Sequence, residues 1–253
     1  GEGYWILLGV SMTVVVVCFV GPWIYQLNVG VGAAGMNRNA VWGTYLSNFI
    51  FWIGLSHSGT LLSAILHITH SSWRNAIYRS AEAMTLFSLI TAACFVMVHL
   101  GRVWFIHWSA PIPNEMGLWP NFRSPLVWDP SAIFTYLTGS ALFVIVALIP
   151  DLAVLRDRTT GLRHQIYSML AMGWRGTPKQ WRLQIIAGFL LSALLLPVFV
   201  SVHSIVSWDF GMAVSVKSWH STIFAPYFVV GAVHSGVSAV AFVLIILRKI
   251  YGW

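Results

Sequence analysis

The chain has 253 residues, of which 58% are hydrophobic and only 8% are charged. A soluble domain carries about 25% charged residues, so this sequence has too few polar groups to cover a folded surface in water. The composition therefore excludes a soluble enzyme and a disordered chain. It also excludes a nucleic-acid-binding protein, because the basic residues that give the net charge of +7 border apolar segments. The two cysteines form neither a CxxC motif nor a disulfide framework.

Six apolar segments are long enough to cross a bilayer, which takes about 20 helical residues. Strands of a membrane barrel would alternate polar and apolar residues, so the predicted fold is an all-α, polytopic membrane protein. The predicted spans, one to six, are 4–27, 41–70, 77–101, 131–155, 183–207 and 221–247. The longest loops are then 102–130 and 156–182.

Lysine and arginine residues indicate the orientation of the spans, because cytoplasmic loops are enriched in them. Four lie on one side: Arg38, Arg102, Arg123 and Lys217. Ten lie on the other: Arg74, Arg79, Arg156, Arg158, Arg163, Arg175, Lys179, Arg182, Arg248 and Lys249. We therefore expect a cytoplasmic N-terminus for this segment and outward-facing loops at 102–130 and 208–220.

Spans two and six share a sequence repeat with a constant offset of 177 residues. The tripeptide His57-Ser58-Gly59 corresponds to His234-Ser235-Gly236, at equal distances from Trp42 and Trp219. Chance similarity between apolar helices is the alternative explanation. A true repeat predicts a first helix with its outer loop (1–40), a four-helix bundle (41–207) and the first helix of a second bundle (208–253). It also predicts that the native protein continues for about three more helices.

Ionisable residues inside a membrane span are costly, and they are therefore candidates for function. An outer group lies at the outward ends of spans three, four and five. Carboxylates paired with histidines can accept protons from a weak acid such as a hydroquinone, and flanking aromatic residues can enclose its ring. The group comprises His99, Arg102, His107, Trp128, Asp129, His203, Trp208 and Asp209.

Two members of the outer group have structural alternatives. Asp129 precedes Pro130 and fits the N-cap of span four, with proline at the first helical position. Arg102 would either keep the carboxylates ionised or extend to the lipid headgroups. Asp209 has no comparable capping role, which makes it the strongest single candidate.

An inner group of ionisable residues suggests a proton path from the cytoplasm toward the middle of the membrane. Hydrogen bonding between helices is the alternative role. We favour that role for His67, His70 and Asp151, whereas both roles stay open for Glu82, His57 and His234.

Histidines on membrane helices also suggest b-type haem, so a b-type cytochrome is an alternative function. His57 aligns with His234 in the repeat, which leaves one shared haem open, but a two-haem arrangement lacks matching outer ligands. No CxxCH motif or cysteine cluster is present for covalent haem or an iron–sulfur cluster. We predict no metal site and no cofactor bound by this chain.

The stretch Ser207-Trp208-Asp209-Phe210 and the segment 219–228 resemble the NrfD, or polysulfide-reductase membrane-subunit, family, and within it the ActC subunits of bacterial alternative complex III. Residues 54–59 and 98–102 fit the same family. The resemblance covers nearly the whole chain and is most specific at 207–228. It implies two similar four-helix bundles with flanking helices, of which this chain covers about the first half.

The resemblance also implies a function: oxidation of a quinol such as menaquinol on the periplasmic side of the bacterial inner membrane. His99, Asp129 and Asp209 correspond to the quinol-site positions. The implied partners are an extrinsic iron–sulfur subunit (ActB-like), multihaem cytochrome c subunits with haem c, a second NrfD-like subunit (ActF-like) and the lipid bilayer. Proton translocation stays open. The alternatives within the family are a quinone-linked anchor of a molybdenum-dependent, polysulfide-type reductase and a structural, ActF-like anchor without a quinol site.

Overall fold

A computed structural model describes residues 2–35, 43–110, 112–114, 116–213 and 217–252. Within these ranges the regular secondary structure is entirely helical, which confirms the all-α prediction. The α-helices are α1 (Glu2–Val15), α2 (Gly21–Val29), α3 (Gly43–Ile68), α4 (Arg74–His99), α5 (Pro125–Asp157), α6 (Gly161–Leu170), α7 (Pro178–Ala213) and α8 (Phe224–Tyr251). A π-helical segment, Val16–Val20, joins α1 to α2.

Among the residues that the structure describes, six helices are long and apolar enough to cross a membrane, as the sequence predicts. They cover Glu2–Val29, Thr44–Ile68, Arg74–His99, Val127–Asp157, Pro178–Gly211 and Phe224–Tyr251. The predicted 156–182 loop contains the ten-residue helix α6. The sequence did not predict this helix, because it is too short to span a bilayer. Arg38 and Trp42 lie outside the described residues.

Helix α3 is the centre of the bundle. It packs against α4, α7 and α8, while α5 packs mainly against α7. Near its start, Leu46, Phe49 and Ile53 form an apolar core with residues of α4, α5 and α7. Further along, its buried side is polar: Ser56, His57, Ser58, Thr60 and Ser63 are each at most 2% exposed. The interior of the bundle is thus apolar at one end and hydrogen-bonding in the middle.

The first span stands apart from the bundle. Residues of α1 are exposed along its whole length, and Gln26 is the buried residue of α2. The Gln26 side chain donates a hydrogen bond from Nε2 to the carbonyl oxygen of Val98 at 2.8 Å and accepts one from the Tyr45 hydroxyl at 2.7 Å. This polar contact ties α2 to the ends of α3 and α4.

The two halves of the sequence repeat meet at the contact between α3 and α8. The Ser58 hydroxyl donates a hydrogen bond to the carbonyl oxygen of Ala232 at 2.5 Å. Gly54 faces Ala232, and Gly236 faces Ser58. The small residues of the repeat therefore allow close approach of the two helices. The division into two bundles stays a prediction, and because α7 continues to Ala213, the boundary proposed at 207/208 falls inside that helix.

We expect Gly236→Ala to destabilise the contact between α3 and α8. A methyl group at Gly236 would overlap with the Ser58 side chain, whereas one at Gly231, on the same helix, would meet no atom within 4 Å. Overpacking of this kind costs about 1–3 kcal/mol. Thermal unfolding in detergent should show a lower midpoint for Gly236→Ala but not for the control Gly231→Ala; equal midpoints would contradict the packing.

Candidate functional site

A cavity of about 390 Å³ lies where α4 ends and α5 begins. We call this end of the bundle the His99 end. Helix α4 contributes His99, α5 contributes Asp129, and α3 and α7 contribute Phe49 and Phe210. His99 and Asp129 are the ionisable residues among those described around the cavity, and its other lining residues are apolar. Helices α4 and α5 thus bring two members of the predicted outer group, His99 and Asp129, to one apolar cavity.

Asp209 is completely buried behind this cavity and contacts Asp129 rather than lining the space itself. The two carboxyl groups are close enough to hydrogen-bond with each other. Within the described residues, Asp129 Oδ1 and both oxygens of Asp209 are buried without a hydrogen-bond donor from another side chain or the backbone. A carboxyl pair can satisfy itself by sharing a proton, because one protonated oxygen then donates to the other group.

The capping role considered for Asp129 is wrong. Helix α5 begins at Pro125 with Ser124 as its N-cap residue, so Asp129 lies inside the helix, as does Pro130. Pro125 suits the first helical position because its φ angle is fixed and its missing N–H is not needed there. Because α5 begins at Pro125, before the predicted start of span four at residue 131, Asp129 lies within the helix, where its side chain contacts Asp209.

The His99 ring has a defined hydrogen-bonding pattern. Its Nδ1 lies 2.9 Å from the carbonyl oxygen of Phe95, and since a carbonyl only accepts hydrogen bonds, Nδ1 must donate. In the neutral ring, Nε2 is then the basic nitrogen. The ring centroid lies 6.3 Å from that of Phe49, which places the imidazole beside the aromatic wall of the cavity.

Other members of the outer group lie elsewhere. Arg102 and His107 are exposed, and neither lines the cavity. Trp128 and Trp208 are 44% and 46% exposed, respectively, and neither lines the cavity. The aromatic residues that do line the cavity are Phe49, Phe134 and Phe210. Sequence reasoning missed their role because a phenylalanine in an apolar span carries no distinguishing signal.

His203 belongs to a deeper cluster at the middle of the bundle. Its ring centroid lies 5.1 Å from that of His57, whose ring stacks on Tyr136 at 3.7 Å. His57 donates a hydrogen bond from Nδ1 to the carbonyl oxygen of Ile53 at 2.6 Å, and the Tyr136 hydroxyl lies 2.9 Å from Ser56 Oγ. Tyr136 was not predicted as a site residue, because one tyrosine in an apolar helix resembles ordinary core.

The geometry does not fit His57 and His234 as two ligands of one haem. His57 is 0% exposed and the Tyr136 ring covers its face, which leaves no room there for a macrocycle. His234 is exposed and lines a separate groove between α3 and α8, together with His203. Although His57 and His234 occupy equivalent positions in the repeat, their rings therefore do not face each other across a space that could hold a haem.

At the opposite end of the bundle, an arginine joins two acidic residues. We call this the Arg79 end. Arg79 forms ion pairs with Glu82 at 2.9 Å and with Asp151 at 2.8 Å. Ser63 Oγ donates a hydrogen bond to Glu82 at 3.0 Å. Arg79, Glu82 and Asp151 line a cavity of about 230 Å³ together with His67.

The two remaining inner histidines differ in their surroundings. His67 Nδ1 lies 3.3 Å from Ser192 Oγ, a contact that links α3 to α7. His70 lies beyond the end of α3, is exposed, and stacks on Phe189 with ring centroids 6.4 Å apart. The structure thus groups His67 with Glu82 and Asp151, and it leaves His70 and His234 apart from them.

These features define a multi-pass helical membrane protein with an ionisable site at each end of one bundle. The chain belongs to the family described as "Polysulphide reductase, NrfD", which it matches over residues 32–251. It is 27% identical over 249 residues to a putative dimethyl sulfoxide reductase membrane subunit of Halobacterium salinarum, an alignment that covers 98% of this chain and 52% of that protein. It is 23% identical over 226 residues to a selenate reductase subunit of Mesobacillus selenatarsenatis, with 86% and 51% of the two chains covered. The chain thus spans about half the length of these curated relatives.

Proposed function

We propose that this protein is a quinol-oxidising membrane subunit of an oxidoreductase complex. One observation carries the proposal: His99 and Asp129 line an apolar cavity at one end of the bundle, and Asp209, from a third helix, contacts Asp129 directly behind it. Proton acceptors beside an apolar space suit a substrate with two weakly acidic hydroxyl groups and an apolar body.

Oxidation of one quinol to a quinone releases two protons and two electrons. His99 accepts one proton at Nε2, since Nδ1 is held by the Phe95 carbonyl oxygen. The Asp129 and Asp209 pair accepts the other proton, and its buried oxygens are suited to this because they lack other donors. Both protons then leave on the outer side if the N-terminus of this segment is cytoplasmic, as the distribution of basic residues predicts.

The two electrons pass to an extrinsic iron–sulfur subunit that covers the His99 end. Two kinds of complex would accept them from there. In an alternative complex III, multihaem cytochrome c subunits and a second NrfD-like subunit would follow. In a molybdenum-dependent reductase, a catalytic subunit would reduce an oxidised substrate such as polysulfide. The names of the dimethyl sulfoxide reductase and selenate reductase relatives support the second kind.

The direct test is quinol oxidation by the purified complex. We expect the complex to oxidise a quinol with an added electron acceptor, and a quinone-analogue inhibitor should compete with the quinol. An absorption spectrum of the separated membrane protein tests the b-type cytochrome alternative, which predicts haem bands. A structural, ActF-like anchor predicts that the analogue does not bind this protein, and that outcome would exclude our proposal.

The buried polar side of α3 supports a second proposal, a proton route from the Arg79 end. Glu82 contacts Ser63, and Thr60 Oγ1 lies 3.3 Å from Thr85 Oγ1 one helical turn further along. Ser56 then contacts Tyr136, whose ring stacks on His57. A chain of neighbouring hydroxyl and imidazole groups can transfer protons across a distance that no single side chain spans. His67 and Asp151 would serve at its start, whereas His70 and His234 lie apart from it.

A further inference from the structure

Gln26 is a buried amide in a helix whose other residues are exposed or half-buried. It is 3% exposed, and the rest of α2 is more accessible. Burial of an amide costs free energy unless its donor and its acceptor are both paired. In Gln26 both are paired, because Nε2 donates to the Val98 carbonyl oxygen at 2.8 Å and Oε1 accepts from the Tyr45 hydroxyl at 2.7 Å. Gln26 is therefore a polar bridge from the first span to α3 and α4.

The Val98 carbonyl group belongs to the last turn of α4. The last four carbonyl groups of a helix have no N–H partner within the helix, and helix ends fray. Val98 precedes His99, the last residue of α4. Its carbonyl oxygen accepts a long hydrogen bond from the Gly101 N–H at 3.3 Å and the shorter one from Gln26. A side chain 72 residues away in the sequence thus holds the turn that carries His99.

The first span contacts the end of α4 at a second point. Gly101 has a φ angle of +70°, in the left-handed region that glycine adopts readily, and the chain turns there after α4. Val31, two residues after the end of α2, packs so closely against Gly101 that a Cβ atom at Gly101 would overlap with the Val31 side chain. One polar and one steric contact therefore fix the end of α4 to the first span.

The His99 ring moves with this last turn, because its Nδ1 is bonded to the Phe95 carbonyl oxygen of the same helix. A reacting group must be held within about 0.5 Å of its productive position. On the basis of the proposed function, we infer that Gln26 is a positioning residue of the quinol site. Its hydrogen bond to Val98 fixes the last turn of α4, so that His99 Nε2 stays in place to accept a quinol proton. Gln26 does not line the cavity and acts through His99.

The test is Gln26→Met in the assembled complex, because methionine has a similar length but cannot donate a hydrogen bond. We expect kcat for quinol oxidation to fall at least about tenfold, since displacement of a reacting group by about 1 Å can cost a hundredfold. KM should stay within about a factor of two, because the apolar walls of the cavity are unchanged. The matched control is Asn28→Met. The exposed Asn28 amide bonds to the Ile24 carbonyl oxygen within α2, so both constants should equal those of the wild type.

A double variant separates positioning from a general structural role. His99→Gln removes the proton acceptor itself, so Gln26→Met in that background should lower kcat by no more than about a further factor of two. Losses that multiply in the double variant would overturn the inference, as would an unchanged kcat in Gln26→Met alone.

A second variant covers the case in which Gln26→Met does not assemble. Gln26→Met combined with Tyr45→Phe also removes the hydroxyl group that would lose its acceptor, and replacement of both partners by apolar groups is nearly neutral for folding. This variant should show the same loss of kcat, and normal turnover would overturn the inference. Failure of the proposed function looks different: His99→Gln would then turn over quinol as the wild type does, or the wild-type complex would oxidise no quinol.

Discussion

Replacement of Asp209 by asparagine is expected to reduce quinol-dependent electron transfer about a hundredfold, the usual size of a lost general base. Asparagine has nearly the same shape as aspartate but cannot take up a proton, so the buried pair with Asp129 loses its function as an acceptor. Because Asp209 is 0% exposed and contacts no described cation, the neutral side chain should be tolerated by the fold. The measurement is quinol:acceptor turnover in complexes whose full assembly has been verified.

The matched control is Asp157→Asn at the opposite end of the bundle. The Asp157 side chain is 66% exposed and pairs with the neighbouring Arg156, far from the proposed quinol site. Its neutralisation should leave turnover within about a factor of two, because exposed ion pairs contribute little. Normal turnover in a fully assembled Asp209→Asn complex would remove Asp209 from the proposed proton-acceptor pair.

Loss of the Arg79 side chain is expected to have the largest effect on stability. In Arg79→Gln, the carboxylate of Glu82, which is 2% exposed, would lose its cation, and Asp151 would lose the same partner. Breaking a fully buried ion pair from one side costs about 3 kcal/mol. The loss here should be smaller, because the Arg79 side chain is 35% exposed and Arg74 also lies near Glu82. We expect a lower thermal unfolding midpoint and a lower yield of assembled protein.

The double variant Arg79→Gln, Glu82→Gln separates this effect from a simple loss of packing. Removal of the second charge should recover a large part of the lost stability, and no recovery would contradict the charge explanation. Glu82→Gln alone keeps the pair between Arg79 and Asp151, so that complex should assemble and can be placed in liposomes. If Glu82 belongs to a proton route, fewer protons should be translocated per electron; an unchanged ratio would exclude it from such a route.

Much of this protein was accessible from the sequence because a membrane restricts the possible structures. Backbone hydrogen bonds must be satisfied within each segment, so six long apolar segments could only become helices. Alternating spans also place the end of α4, the start of α5 and the end of α7 on one side. That geometry brought His99, Asp129 and Asp209 to a common depth before any packing was known.

The sequence did not determine which way each side chain points. A span that is apolar all around has no polar face to reveal its rotation, so the side of each helix that turns inward depends on its neighbours. Packing directs Trp128 and Trp208 outward, turns His203 toward His57 and brings Tyr136 into the same cluster. The sequence by itself thus determined the helices and the depth of their ionisable residues. Only the tertiary structure decided which of those residues meet, because helix rotation is set by contacts between distant parts of the chain.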